Sequence, residues 1–182
     1  VLAVMLYHFG VPGFGGGFIG VDVFFVISGF LMTRILIESI NGAGGGHWQW
    51  LWNFYLARAR RIVPALLALC LGLLILGWYL LPSPDYRTLG THTLFALTFL
   101  SNIKFWREAG YFDAASHDKW LLHTWSLSVE WQFYLLFPLL ILLVWRLFPG
   151  RRAAFVALLI GFAVSLFLSV LITPGQSSAA FF

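Results

Sequence analysis

Charged side chains are scarce in this sequence: they make up 10% of its 182 residues, against 60% for hydrophobic ones. Soluble domains carry roughly 25% charged residues, and the mean hydropathy here is +0.88. A soluble chain of this composition would have too little polar surface to cover its core, so we exclude a soluble globular protein. The lipid bilayer is therefore the first predicted partner.

Cysteine is nearly absent as well. Cys70 is the single one and lies in an apolar run, which excludes an internal disulfide framework or a thiolate metal site. The sequence also lacks a Walker loop, a GxSxG elbow, an HExxH pair and a CxxC pair. We predict no metal site and no bound cofactor. The net charge of +4 comes mostly from arginines between apolar runs, as in membrane proteins, so we predict no nucleic acid partner.

Long apolar runs are what the sequence does contain. A crossing helix needs about 20 mostly apolar residues, and the runs that approach this pattern are 1–9, 18–40, 62–81, 124–145 and 153–172. Pro64 would lie in the first turn of the third run, where its missing N–H costs least. The predicted fold class is all-α, a polytopic transmembrane helix bundle of about five spans. Because the sequence starts inside an apolar run, we expect it to be truncated at both ends.

Two arginine clusters set the predicted orientation in the membrane. Positive residues stay on the cytoplasmic side, so we place both clusters there: Arg58, Arg60 and Arg61, and Arg146, Arg151 and Arg152. Both clusters can face the cytoplasm only if residues 91–105, which are apolar but short, form a re-entrant hairpin. The alternative is a full crossing by residues 91–105, which would put the second cluster outside.

Two ionisable residues flank the glycine-rich connection near the start of the chain. His8 lies in the last turn before it and Asp22 in the first turns after it. Ionisable groups inside a membrane mark functional sites by default. In an antiparallel helix pair the two residues come to a similar depth, so Asp22 would orient His8 as a general base. The alternative is a buried His–Asp pair that only holds two helices together.

Glu130 lies in the polar start of an otherwise apolar helix. Helical spacing puts Ser126 and Tyr134 on the face of Glu130, and Ser128 on a neighbouring face. The alternative is an interfacial helix start with an aromatic belt. It explains Trp125 well but does not explain a carboxylate, so we predict Glu130 as a site residue.

The run RARRIVP, residues 58–64, has two interpretations. It can simply fix orientation in the membrane. Alternatively, arginine forks pair phosphate oxygens at two points, and the run would then bind the phosphates of a nucleotide-based donor. Three further histidines show no ligand spacing, and we predict them to be interfacial or loop residues: His47, His92 and His117.

Six blocks of the sequence resemble, in the same order, those of the acyltransferase-3 family: YHFG (7–10), GFIGVDVFFVISGFLMT (17–33), FYLARARRIVPAL (54–66), FLSNIKFW (99–106), YFD (111–113) and LLHTWSLSVEWQFYLLFPLL (121–140). These are bacterial membrane O-acyltransferases that act on lipopolysaccharide, peptidoglycan, exopolysaccharide or nodulation factors. Residues 1–182 would be the front part of the family's membrane domain, and the resemblance implies that this part alone is inactive.

The resemblance also implies roles for individual residues. His8 resembles the family's catalytic histidine, and Glu130 the glutamate of its WSLSxE block. The donor-binding motif linked to acyl-CoA would be Arg58, Arg60 and Arg61. Asp22 would orient His8, and the supporting residues would be Trp125, Ser126, Ser128 and Tyr134.

The implied protein is a multi-pass enzyme of the bacterial cytoplasmic (inner) membrane. It would move an acyl group, expected to be acetyl, from cytoplasmic acyl-CoA to a hydroxyl of a cell-envelope or exported saccharide or glycolipid. His8 would take the proton of that hydroxyl, either directly or while carrying the acyl group itself. A periplasmic domain, fused or separate, would be a further partner.

Two rival functions use the same residues differently. A proton-coupled transporter of lipid or sugar would employ His8, Asp22 and Glu130 as a proton relay. A structural or sensory membrane module would need them only for packing. Consumption of acetyl-CoA separates the first rival from an acyltransferase, and the effect of replacing His8 separates the second.

Overall fold

The computed structural model describes residues 2–42, 47–108, 119–148 and 150–172. Every regular element within these ranges is helical: α1 (Leu2–His8), a 3-10 turn (Gly17–Ile19), α2 (Gly20–Gly42), α3 (His47–Leu80), α4 (Ser83–Leu97), α5 (Ser101–Glu108), α6 (Thr124–Leu147) and α7 (Arg151–Ile172). The all-α prediction is confirmed. The chain folds into two compact units, residues 1–51 and 52–182.

The apolar helices make the fold a transmembrane bundle. Among the described residues, three helical stretches are long and apolar enough to cross a membrane, namely Gly20–Ser39, Trp48–Leu80 and Thr124–Leu147. A shorter apolar helix covers Phe155–Leu171. These four stretches overlap four of the predicted spans. Helix α1 lies within the remaining predicted span, residues 1–9. Many of their large apolar side chains are exposed, which suits contact with lipid.

In the first unit, the glycine-rich connection folds the chain back onto α1. A Cβ atom on Gly17 would collide with the carbonyl oxygen of Ala3 and would lie 2.7 Å from the Cβ of Tyr7. A Cβ atom on Gly20 would lie 2.7 Å from Cγ2 of Val4. Only glycine allows backbones to approach this closely, so these two positions let α2 begin directly against α1.

Helix α3 differs from its prediction. The third span was predicted to begin at residue 62, but the helix begins at His47, and Pro64 lies inside it instead of in its first turn. The preceding stretch WQWLWNFYLA contains neither Gly nor Pro, so nothing ends the helix before Arg58. At 1.5 Å per residue, a helix of 34 residues is about 51 Å long. The arginines of the RARRIVP run therefore lie within a continuous helix and not in a connection.

Residues 91–105 do not form one helix, because α4 ends at a left-handed residue. Phe99 has a φ of 55°. Its N–H donates to the carbonyl of Ala96 at 3.1 Å, and the N–H of Leu100 donates to the carbonyl of Phe95 at 2.9 Å. This pair of bonds is the Schellman helix ending, which usually has glycine at the left-handed position. A non-glycine residue in that conformation costs roughly 1–2 kcal/mol, so packing must hold Phe99 in place.

The ring of Phe99 supplies that packing, since it is buried and stacks on Trp131 with ring centres 4.6 Å apart. After this turn α5 runs back along α4, and a carboxylate oxygen of Glu108 reaches Nε2 of His92 at 3.0 Å. The chain therefore reverses here, which is the shape that the re-entrant interpretation requires. Its position relative to a membrane stays a prediction.

The shared orientation of the two arginine clusters does not fit this structure, because Arg61 lines a cavity with His123 at the start of α6. Arg146 lies in the last turn of α6, about 33 Å further along a helix that is long enough to cross a membrane.

The core of the second unit lies where α3, α4 and the segment before α6 meet. Its buried members are Leu66, Cys70, Leu89, Ala96, Phe99 and Leu121. α4 packs along the second half of α3, where the rings of Trp78 and Tyr86 meet edge to face at 5.6 Å. α6 packs along the first half, where the hydroxyl of Tyr55 donates to the carbonyl of Leu135 at 3.0 Å. Helix α3 thus connects two packing regions.

Candidate active site

One face of α6 forms hydrogen bonds with α5. The hydroxyl of Thr124 donates to Oγ of Ser101 at 2.9 Å, and the N–H of Ser101 donates to the hydroxyl of Ser128 at 3.2 Å. The amides of Gln132 and Asn102 exchange hydrogen bonds at 3.0 and 3.3 Å. The α6 residues in these bonds, Thr124, Ser128 and Gln132, recur every four positions, so they share one face of the helix. Ser128, a predicted supporting residue, is buried in this helix-to-helix contact.

The neighbouring face carries the predicted glutamate. Glu130 and Tyr134 are both buried, and the Tyr134 hydroxyl donates to Oε1 of Glu130. The guanidinium carbon of Arg58 lies 5.1 Å from the centre of the Tyr134 ring and 5.4 Å from that of Phe54. Both distances are within the range of cation–π attraction. The structure therefore brings one predicted donor-binding arginine and the predicted glutamate into one site.

The chemistry of this site follows from burial. A carboxylate buried in an apolar helix is costly unless hydrogen bonds and a compensating charge accompany it. Tyr134 supplies a hydrogen bond to Glu130, and Arg58 places a cation against the same ring. Arg58 is only half-buried, so its positive charge is accessible from outside the bundle. The site can bind an anionic ligand and hold a proton acceptor in a fixed position.

A proline lies one turn beyond these residues and marks where α3 and α6 join. Pro138 is inside α6, so the carbonyl of Tyr134 loses its usual helical N–H partner. The adjacent carbonyl, that of Leu135, accepts the hydroxyl of Tyr55 from α3. This bond ties the two helices together beside the Glu130 site.

The other two arginines of the run lie elsewhere on α3. Arg60 and Arg61 are exposed. Arg61 lines a cavity of about 520 Å³ together with His123 at the start of α6. The three arginines were predicted as one donor-binding motif, but they separate. Arg58 contacts Tyr134 beside Glu130. Arg61 lines a separate cavity, and Arg60 is exposed and belongs to neither site.

The remaining supporting residues lie at the start of α6. The hydroxyl of Ser126 donates to the carbonyl of His123 at 3.1 Å, which stabilises the first turn of the helix. Trp125 is half-buried, and its backbone N–H donates to the backbone carbonyl of Leu122 at 3.1 Å. Their contribution to catalysis stays a prediction.

His8 and Asp22 lie in the first unit, at the end of α1 and in the first turn of α2. Gly20 faces Val4, and two positions further along a helix is about 200° of rotation, so Asp22 lies on the far side of α2 from that contact. Asp22 is exposed. The side chain of His8 lies outside the described residues, and its pairing with Asp22 stays a prediction.

His92 was predicted to be an interfacial or loop residue, and the loop alternative was wrong, whereas its position relative to a membrane interface stays a prediction. It lies on α4 and is buried. Glu108 joins it to two lysines, Lys104 at 3.1 Å and Lys119 at 3.7 Å. Burial acts to raise the pKa of Glu108, but hydrogen bonds and charge from Lys104 and His92 outweigh it, so the pKa is lowered. Only the pair Lys104–Glu108, spaced four apart on α5, could have been found from the sequence. No spacing signals the contact with His92, which forms only when α5 folds back on α4.

His47 begins α3, where its side chain lies outside the described part of the chain, and His117 falls between the described ranges. Within the described residues, no three side chains of His, Cys, Asp or Glu are grouped as metal ligands would be.

Comparison with known proteins gives one family and several relatives. The model of the acyltransferase domain of the acyltransferase-3 family matches residues 1–182. The chain is 36% identical over 145 residues to an uncharacterized protein of Haemophilus influenzae, covering 80% of this chain and 58% of that one. It is 31% identical over 185 residues to the peptidoglycan O-acetyltransferase OatA of Listeria monocytogenes, covering 96% and 28%.

A third relative is YrhL of Bacillus subtilis, whose name assigns it provisionally as a peptidoglycan O-acetyltransferase. It is 32% identical over 178 residues, which cover 96% of this chain and 27% of the relative. The chain thus spans between about a quarter and just over half of the length of these relatives. No solved structure matches it significantly.

Proposed function

Because the chain belongs to the acyltransferase-3 family, whose model matches all of its residues, we propose that the protein is a membrane O-acyltransferase. It moves an acyl group, acetyl in the first instance, from cytoplasmic acyl-CoA to a hydroxyl of a cell-envelope saccharide. The names of two relatives favour peptidoglycan as the acceptor. The bacterial cytoplasmic membrane is the proposed location, since it separates the donor from that acceptor.

The observation that carries this proposal is the contact of Arg58 with Tyr134, whose hydroxyl binds Glu130. Arg58 offers a half-buried cation to the phosphates of the donor, since guanidinium groups bind phosphate oxygens in a fork. Tyr134 connects Glu130 to that cation, so donor and acceptor groups would converge on the same part of α6.

In the proposed reaction, His8 removes the proton of the acceptor hydroxyl as that oxygen attacks the thioester carbonyl. The carbon–sulfur bond breaks, the acyl group stays on the acceptor oxygen, and the CoA thiolate leaves and takes up a proton. Asp22 orients His8, and Glu130 positions the acceptor. Arg60, which is exposed on the same helix, adds positive charge on the donor side.

The test is transfer from acetyl-CoA labelled in its acetyl group. The full-length protein in membrane vesicles should release CoA and place the label on peptidoglycan fragments in equal amounts. His8→Gln provides the matched inactive variant. If labelled acetyl-CoA is not consumed while saccharide or lipid crosses the membrane in a proton-dependent way, the protein is a transporter and the proposal is wrong.

A further inference from the structure

A cavity that is separate from the Glu130 site lies between α3 and the start of α6. Its volume is about 520 Å³, within the range of roughly 300–1,000 Å³ typical of ligand sites. Its floor is rigid, because Leu66 and Leu121 belong to the buried core. Several residues on its walls are exposed, including Leu69 and Trp120. The cavity is therefore open to the surroundings of the bundle.

The lining has one permanent charge. Arg61 is exposed at one end of the α3 wall, and none of the lining residues is acidic. Ile62, Ala65 and Leu69 continue this wall, and eight residues of helix from Arg61 to Leu69 span about 12 Å. An occupant that fits has an anionic head and an apolar body of at least this length.

We propose that this groove binds an anionic phospholipid, with its phosphate at Arg61 and its hydrocarbon chain along Ala65 and Leu69. The charge of the groove complements a phosphate, and guanidinium groups bind phosphate oxygens in a fork. Both walls belong to helical segments that are candidate membrane spans or adjoin one, so lipid is the neighbouring solvent. The assignment goes beyond the proposed acyl transfer, because lipid binding requires no acyl donor.

Arg58 and Arg61 thereby differ in role, although they lie one helical turn apart. Arg58 is engaged with the rings of Phe54 and Tyr134, whereas Arg61 lines the groove. Neighbouring Arg60 is exposed and lies outside the groove lining. This arrangement supplies a matched control on the same helix.

The test uses the full-length protein, extracted with lipid and examined by native mass spectrometry after equilibration with phosphatidylglycerol or phosphatidylcholine. The wild type should retain phosphatidylglycerol about fivefold better, the effect expected of one cation near a phosphate headgroup. Arg61→Ala should remove this preference and Arg60→Ala should keep it. Equal retention of both lipids by the wild type, or the same loss in Arg60→Ala, would mean a non-selective lipid shell and overturn the proposal.

A second pair of variants keeps every arginine and addresses the hydrocarbon part of the groove. Leu69→Trp fills the α3 wall and should release phosphatidylglycerol, whereas Leu71→Trp, at an exposed position outside the lining, should not. Equal behaviour of the two variants would also overturn the proposal.

Excess acetyl-CoA provides the last arm of the test. It should leave the bound lipid in place, because the donor phosphates are assigned to Arg58. Displacement of the lipid would make the groove part of the donor site and refute the lipid assignment, while leaving acyl transfer itself intact.

Discussion

Tyr134 donates its hydroxyl to Glu130 one helical turn earlier and presents its ring to Arg58, whose guanidinium carbon lies 5.1 Å from the ring centre. A single side chain thus contacts both a predicted catalytic residue and a predicted donor-binding residue. Arg58 comes from α3 and Glu130 from α6, so the site depends on how these two helices pack. The following predictions test each part of this arrangement in the full-length protein.

Glu130→Gln keeps the size of the side chain but removes its charge and its ability to take up a proton. We expect acyl transfer per inserted molecule to fall by about 10²-fold, the effect expected when a reacting group is misplaced by about 1 Å. Tyr134→Phe keeps the ring against Arg58 and loses only the hydrogen bond, so we expect a loss of about tenfold. A larger effect from Tyr134→Phe than from Glu130→Gln would contradict the assigned roles.

Arg58 should determine how well the donor is used. Arg58→Lys keeps the charge but loses the planar fork, so the KM for acetyl-CoA should rise, and Arg58→Ala should raise it further. Exposed Arg87 on α4 is the control, and Arg87→Ala should leave this KM unchanged. If the Arg58 variants change only the amount of protein in the membrane, the arginine run serves orientation alone.

His8 carries the catalytic hypothesis from the sequence. His8→Gln can still form a hydrogen bond but cannot take up a proton near neutral pH, so acyl transfer should fall by roughly 10²–10⁴-fold with normal membrane insertion. Asp22→Asn should be milder, because it removes an orienting charge and leaves the imidazole. Near-native specific activity of His8→Gln would end the catalytic role of His8.

Glu108 should stabilise the α4–α5 hairpin in a pH-dependent way. Its lowered pKa means that the folded protein favours the ionised carboxylate, which faces His92, Lys104 and Lys119. This stabilisation is present above the ordinary pKa of 4.5 and is lost as the pH falls through the lowered value. Glu108→Gln should therefore lower the Tm at pH 7 by about 2–4 °C, the equivalent of about 1 kcal/mol.

Tm should be measured between pH 3 and pH 7, the range in which a carboxylate titrates. The difference in Tm between Glu108→Gln and the wild type should shrink at the acid end of this range. Asp85→Asn is the control, since Asp85 is exposed and forms no ion pair within the described part of the chain. A difference that is constant over the whole range would show that the cluster stabilises by packing and not by charge.

The sequence predicted the helices well where their signal is local. Apolar run length located α2, α6 and α7, and helical spacing placed Tyr134 beside Glu130, as the hydrogen bond confirms. Local spacing also accounts for an ion pair near the end of α2, where Nε of Arg34 lies 2.8 Å from Oε1 of Glu38 four residues later.

What the sequence did not reveal depends on contacts between distant segments. The start of α3 was missed because a charged run was interpreted as a boundary, although nothing in it breaks a helix. The end of α4 has Phe99 where glycine is usual, and long-range contacts stabilise it there, namely the stack on Trp131 and a hydrogen bond from Nε2 of Gln132 to the carbonyl of Phe99. His92 and Glu108 likewise lie far enough apart in sequence that no periodicity connects them.

The length of α3 brings contacts with two other helices onto one element. The helix carries Arg58 in its first half and Gly77 near its end, with Pro64 between them. At Gly77 a Cβ atom would lie only 2.7 Å from Cδ2 of Leu89 on α4, so there is little slack at that end. Any side chain larger than hydrogen at position 77 would have to displace Leu89, so α3 fits closely against α4 at the end opposite Arg58.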